Sequence, residues 1–365
     1  MTIAAHIHTS ANESPFLPEC ISRLAAQKAN DHFIIFSEKK IAALAGYSNC
    51  TQILISPVIK NSLLLHYWYN FKLPALLKKY NPAVFISENS ACCLRTATPQ
   101  IMIIKDDFIH AKKSPEKNIY SRYLKKYFIK FAQKAAAVAV TKAYTEQQLL
   151  ARYPELKNKT ITILHGLDNI YNPVSENERK MIQEKYAEGN GYFVCECSTL
   201  TQSHMILVLK AFSIFKKRLK SGMQLLLINK TGENPVPDFH IYKYRNEVQI
   251  LAYVSKKWEA DIVAAAYAAI YLPCFSSTNN WGLQCMVSGI PLITLEHKDL
   301  TTMYEDAAMY ASADEKKIAD YMMILYKDET FRNVYINKGQ KLAASYNWQD
   351  SSNSLWQTIL QQHRD

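Results

Sequence analysis

The sequence predicts an α/β protein built as two successive doubly wound domains. Three observations predict it. At 365 residues the chain exceeds one typical core and suits two domains of about 150 to 200 residues each. Short apolar runs alternate with helical stretches, the pattern of parallel strands joined by crossover helices. The alternation also falls into two series, parted by the turn-rich segment His165 to Pro173, where Gly166 and Pro173 punctuate the end of a strand.

In the first series, apolar runs at Ile3 to His8, Phe33 to Phe36, Gln52 to Ser56, Val84 to Ser87, Ile101 to Lys105, Ala137 to Thr141 and Thr160 to Leu164 read as strands. Between them lie helical stretches near Pro18 to Lys28, Leu63 to Lys79 and Glu146 to Arg152, and a basic helix. The second series has strands at Tyr192 to Cys195, Met223 to Ile228, Val248 to Leu251, Ala269 to Leu272 and Leu292 to Leu295. Its helices run from Gln202 to Leu219 and Ser255 to Ala265, with three more up to the C-terminus. The predicted domains are residues 1–168 and 169–348, with a last helix over 349–365 able to cross back onto the first. Internal repeats and low-complexity tracts are absent, and Asn229 to Asp238, with Gly232, Pro235 and Pro237, reads as a surface loop.

The hydrophobic fraction of 48% excludes a disordered chain. Eight cysteines lie mostly inside apolar runs, and Cys195-Glu196-Cys197 is too tight for the usual zinc spacing. They read as buried thiols in a reducing cytosol. The start lacks a basic, apolar leader and no run reaches a membrane-spanning length, so a cytoplasmic protein is expected.

Between Lys112 and Lys134 eight Lys or Arg stand against Glu116 alone, with Tyr120, Tyr123, Leu124, Tyr127, Phe128 and Phe131 at helical spacing. This is the basic amphipathic helix. Three readings fit it: a solvated face, contact with an anionic membrane surface through basic and aromatic anchors, and contact with nucleic acid. No RNA- or DNA-reading motif accompanies the charge.

The segment Tyr271 to Thr294 (YLPCFSSTNNWGLQCMVSGIPLIT) carries the functional signal. An apolar strand run, Ala268 to Cys274, enters a polar loop, Ser276 to Asn280, then a short helical piece, a Gly-x-Pro turn at Gly289 to Pro291, and another strand. Open α/β sheets bind ligands at the carboxyl ends of their strands, where free backbone N–H groups favour anions such as diphosphates.

Several ordered segments resemble one family. LHGLDNIYNP (164–173) resembles a strand-end NGVD motif, and YFVCECSTLTQSHMILVLKAFSIF (192–215) a strand, basic loop and LLxAF helix. VQILAYVSKKWEADIVAAAYAAIYLPCF (248–275) resembles the block xxxGYVSxxELxxLYxxAxxxxxPS. SGIPLIT (288–294) resembles CGTPVIT, and AASYNWQDSSNSLWQTI (343–359) a terminal FSW helix entry. Together they are similar to the retaining glycosyltransferases of family 4 over Ile101 to Leu360. The resemblance implies the GT-B fold, two facing Rossmann-like domains with a cleft between them.

The departures concern charge. The resemblance puts an Arg and a Lys in the loop after the first strand of the second domain, at positions held here by Ser198 and Ser203. Its paired glutamates fall on Ser276 and Gln284, or in a competing register on Asn279 and Val287. Its first-domain His-Asp pair falls on Lys105 and Asp106, and its glycine-rich loop on Thr9 to Pro15, which has no glycine. A metal-independent site stabilises a leaving diphosphate with cations and backbone dipoles, so Lys105, Lys142 and Lys230 are candidate substitutes, although a lysine at such a place more often reads as a solvated surface charge.

The implied donor site comprises Ser198, Ser203, Tyr253, Val254, Ser276, Asn279, Asn280, Trp281, Gly282, Leu283 and Gln284. Trp281 suits stacking on a sugar or base, or packing beside a turn. Gly282 suits close backbone approach, and the Gln284 amide suits a ribose hydroxyl or a plain helix start. Asp106, with Lys105, is the candidate general base towards an acceptor, or a strand-end cap. Glu196 is unusual at a buried strand end and is a further candidate facing the cleft.

The function the resemblance implies is transfer of a hexose, with retention and without a metal, from a nucleotide diphosphate sugar to a glycan or lipid-linked acceptor in cell-surface polysaccharide synthesis. The basic helix over 112–134 would hold the enzyme at the inner membrane face. The alternative is a catalytically silent GT-B protein that binds a partner or glycan.

Overall fold

The computed structural model describes residues 1–7, 16–56, 62–88, 90–104, 119–230, 242–252, 255–273 and 280–364. The chain divides into two compact units, Met1–Gly166 with Tyr346–Asp365, and Leu167–Ser345. Each contains one parallel sheet.

In unit 1 the strands are β1 (Thr2–Ile7), β2 (His32–Ser37), β3 (Cys50–Leu54), β4 (Val84–Ser87), β5 (Gln100–Ile104), β6 (Ala137–Val140) and β7 (Thr160–Thr162). They lie in the order β3-β2-β1-β4-β5-β6-β7, with Ile3 of β1 opposite Phe33 on one side and Val84 on the other. Side chains alternate across the sheet. Ala4, Phe36 and Phe85 join Trp68, Tyr69, Phe128 and Phe131 on one face, whereas Ile3, Phe33 and Ile86 join Phe16, Leu355 and Ile359 on the other. Both faces are covered, which is why the inner strands read as near-continuous apolar runs, whereas the edge strand β3, CTQIL, is only partly buried.

The stretch predicted as one helix over Leu63 to Lys79 is interrupted. Ser62–Tyr67 and Leu73–Tyr80 are α-helical, and Trp68–Lys72 between them is a π turn. Pro74 at the start of the second piece has no N–H to return to the carbonyl of the preceding turn, and a π turn absorbs the break. The basic helix is described from Ile119 to Lys134. Leu124, Phe128 and Phe131 enter the core while Lys125, Lys126, Lys130 and Lys134 are exposed.

The final helix, Trp348–Arg364, belongs to unit 1. Trp348 packs tilted against His165, ring centroids 4.6 Å apart, and lies near Phe16, and Ser351 Oγ donates to the Leu164 carbonyl at 2.5 Å. Gly166 makes the docking fit: a Cβ there would lie 2.5 Å from the Trp348 ring and 2.6 Å from its backbone nitrogen.

Unit 2 holds β8 (Tyr192–Glu196), β9 (Gln224–Asn229), β10 (Val248–Ala252), β11 (Ala268–Tyr271), β12 (Leu292–Leu295) and β13 (Ala308–Ala311), in the order β10-β9-β8-β11-β12-β13. Two elements here were not read from the sequence. Helix Glu176–Ala187 buries only Ala187, so it has no apolar stripe; its signal is the Ser175–Glu178 capping box, in which each side chain bonds the other's backbone. The edge strand β13, AMYA, is short and alanine-rich. Four helices, not three, follow β12: Lys298–Tyr304, Glu315–Lys327, Glu329–Ala344 and Trp348–Arg364.

Candidate functional site

In each sheet the strand order reverses once, between β1 and β4 in unit 1 and between β8 and β11 in unit 2. Loops diverge at such a switch point and leave a crevice at the carboxyl ends of the strands, where open α/β sheets take ligands. The side chains at both points are polar.

In unit 2 the loop after β8 is built around Glu196. Its carboxylate is fully buried and turns into its own loop, accepting from the Ser198 N–H at 3.0 Å and the Thr199 hydroxyl at 2.6 Å. This corrects the expectation that Glu196 faces a cleft. A buried carboxylate must be hydrogen-bonded, and the loop bends to do it. Thr201 then caps helix Gln202–Leu219 by accepting the His204 N–H. Ser203, at the entry of this helix, is exposed and bonds Thr201 Oγ1 at 2.8 Å.

His204 joins the two sides of the switch point. Its Nδ1 lies 2.8 Å from the carbonyl of Leu272, just past β11. A carbonyl only accepts, so Nδ1 carries the proton. No local pattern signals this bridge, which spans 68 positions.

Ser198 meets the end of β9. Its hydroxyl accepts the Lys230 N–H at 2.6 Å, and the Lys230 ammonium lies 2.7 Å from Oε1 of Glu259. Burial first, then the charge of the neighbouring Glu259 carboxylate, push the Tyr171 phenol far above its ordinary range. Ser198, Lys230, Glu259 and Tyr171 thus converge from four segments.

Helix Trp281–Val287 is oriented differently from the expectation. Trp281 is fully buried, its ring 5.3 Å from that of Tyr271, so it packs and does not present a stacking surface. Leu283 is equally buried. The missing Cβ of Gly282 faces inward: it would collide with Tyr304 and come within 2.9 Å of Leu292. These three residues therefore offer backbone at most. Gln284 is half-buried beside the Asn280 helix start, and Gly289 takes φ +77°, the left-handed turn that the Gly-x-Pro segment needs. Tyr253, Val254, Ser276, Asn279, Lys105 and Asp106 lie outside the described residues.

At the unit 1 switch point His6, ending β1, is buried with Nδ1 3.2 Å from the Tyr69 hydroxyl, which lies 2.9 Å from Ser87 Oγ on β4. Tyr69 comes from the π turn. A cavity of about 620 Å³ lined by Leu77, Lys78, Asn81, Arg95, Thr98 and Pro99 opens elsewhere, at the amino ends of β4 and β5. Topology places the ligand end of the sheet opposite to it, and the site is placed there.

Burial pushes the Cys197 thiol up to about 12 and raises Cys195 and Cys285 as well. All three stay protonated at neutral pH. Among the described residues no group of three His, Cys, Asp or Glu is arranged to hold a metal, and no helix is long and apolar enough to cross a membrane.

No protein-family model matches the chain, and no curated protein matches it in sequence. Solved structures do match it. A glycosyltransferase from Rickettsia africae has TM-score 0.73 at 11% identity, over 99% of this chain and 98% of that one. Anabaena Alr3699/HepE in complex with UDP-glucose has TM-score 0.70 at 12% identity, over 99% and 100%. WaaG, a glycosyltransferase involved in lipopolysaccharide biosynthesis, has TM-score 0.66 at 10% identity, over 98% and 99%. The fold is GT-B. At these identities the likeness is one of fold, so the chemistry must come from this chain's own residues on its GT-B frame.

Proposed function

We propose that this GT-B protein is a glycosyltransferase, moving a hexose from a nucleotide diphosphate sugar to a glycan or lipid-linked acceptor with retention and without a metal. The observation that carries the reading is the polar switch point between β8 and β11, bridged by the His204–Leu272 bond and flanked by the Ser198–Lys230 bond, on a fold that HepE uses in complexes with UDP and UDP-glucose. Ser203, Asn280 and Gln284 would contact the donor there, with Ser198 in the same loop and backbone from the Trp281–Leu283 helix start. The switch point at His6, Tyr69 and Ser87 would serve the acceptor. A nucleotide leaving group needs cationic or dipolar stabilisation, which the loop N–H groups and a nearby lysine can supply.

A role in cell-surface polysaccharide synthesis at the inner membrane face is supported by one surface of unit 1. Leu63, Tyr67 and Phe71 are 79%, 44% and 50% exposed and follow one another at four-residue spacing. The neighbouring helix Ile119–Lys134 contacts them through His66 and Tyr123, 3.1 Å apart. Neither 62–80 nor 119–134 contains an Asp or Glu. An apolar stripe beside acid-free basic helices suits an anionic bilayer.

The test is a thermal-shift screen against nucleoside diphosphates and their sugars, followed by donor hydrolysis with the best ligand. Stabilisation by one nucleotide, reduced in Gln284→Ala, supports the reading. Absence of any shift at millimolar ligand together with no hydrolysis overturns it, and binding without turnover identifies a silent GT-B protein.

A further inference from the structure

Glu259 occupies an uncommon place. It stands on the inward face of helix Lys256–Ala264 among Ala260, Ile262 and Val263, 2% exposed, where the resembling sequence block carries leucine. A carboxylate there is tolerated only if a cation and hydrogen bonds hold it. Its Oε1 has the Lys230 ammonium at 2.7 Å as its ion-pair partner, and the Tyr171 phenol stands near the same carboxylate, whose charge it feels. Lys230 itself is not buried: a third of its side chain remains accessible, at 33%. Its main chain is fixed by Ser198, in the loop beside the switch point.

We propose that Lys230 is the cation that binds the diphosphate of the donor, with Glu259, Tyr171 and Ser198 as its positioning residues. The inference rests on the nucleotide-sugar reading above and names the charge that the serines at 198 and 203 do not provide. An ammonium has three donors. Glu259 takes one and fixes the rotamer, which leaves two for phosphate oxygens on the accessible side. Tyr171 stays protonated, so no second negative charge is added beside the carboxylate when the lysine is shared with phosphate. Ser198 carries no charge, yet it sets where the charge stands.

The experiment titrates the full chain with UDP, GDP and ADP, and with the matching nucleosides, by calorimetry. The variant Lys230→Met/Glu259→Leu/Tyr171→Phe removes the cluster as a unit and leaves apolar side chains in its place, a replacement that buried ion pairs tolerate. It is expected to bind the preferred diphosphate about 10- to 100-fold more weakly, the range of a charge-assisted contact, and the nucleoside as the wild type does. Lys230→Arg should bind within a few-fold of wild type. Ser198→Ala, which leaves the buried pair intact, should lose several-fold in diphosphate affinity and none for the nucleoside, and this arm decides the matter should the triple variant fail to fold. Unchanged diphosphate affinity in the folded triple variant or in Ser198→Ala overturns the proposal while leaving nucleotide binding established. A wild type that binds no nucleoside diphosphate overturns the underlying reading instead.

Discussion

Gly166→Ala tests why a glycine ends unit 1. Its φ is not left-handed, so no backbone strain arises from the substitution; the constraint is space. The added methyl would stand 2.5 Å from Trp348 ring carbons and 2.6 Å from the Trp348 nitrogen, where ordinary contact begins at 3.4 Å. The helix Trp348–Arg364 must therefore retreat by about 0.9 Å, and a main-chain nitrogen cannot rotate aside as a side chain would. Retreat loosens Leu355 and Ile359, both fully buried, and Trp348 and Trp356, nearly so. Overpacking of this kind costs about 1 to 3 kcal/mol, and the backbone clash puts this case at about 2 to 3. For a domain of this size each kcal/mol lowers Tm by about 2 to 4 °C, a drop of about 4 to 12 °C. Calorimetry together with hydrogen exchange across 348–364 reads it: the unit 1 transition falls, the last helix loses protection, and unit 2 is unmoved. Trp348→Leu in the same background should recover part of the loss. An unchanged Tm with full protection of the last helix would refute the reasoning.

Glu196→Gln should destabilise unit 2 by about 1 to 2 kcal/mol, since two bonds to a buried carboxylate weaken, and should weaken nucleotide binding; unit-resolved unfolding checks it. Alkali should destabilise the protein: burial pushes the Cys20 and Cys197 thiols to about 12 and Cys50 to about 11, from 9.0. The folded state holds protons that the unfolded chain releases, so stability is full below pH 9 and falls as pH rises towards 12; a urea midpoint constant between pH 8 and 11 would count against this. Leu63→Ser/Phe71→Ser should abolish flotation with anionic vesicles and leave nucleotide binding intact, and wild-type protein that ignores such vesicles would remove the membrane proposal.

The inner strands were legible because both sheets are covered on both faces, so strands such as β6 (AVAV) and β9 (QLLLIN) print near-continuous apolar runs. β13 escaped because AMYA is four residues at a sheet edge, and helix Glu176–Ala187 because it buries almost nothing. The site was half legible. Ser198 and Lys230 were each visible as residues, but the bond between them joins positions 32 apart, and no local pattern encodes it. Trp281 and Gly282 looked like ligand-facing residues because they adjoin a polar loop. Helical phase turns both towards Tyr271 and Tyr304 instead.

The return of Trp348–Arg364 to unit 1 orders events during synthesis. Unit 2 has all its residues once Ser345 is made, whereas the first sheet waits, with Phe16 and Phe33 missing part of their cover, until Trp348–Arg364 has left the ribosome. The N-terminal half of the gene thus encodes a unit that finishes second. A nascent chain stalled anywhere in unit 2 presents an open apolar face in unit 1, and truncation of the last twenty residues would injure the start of the protein before its end.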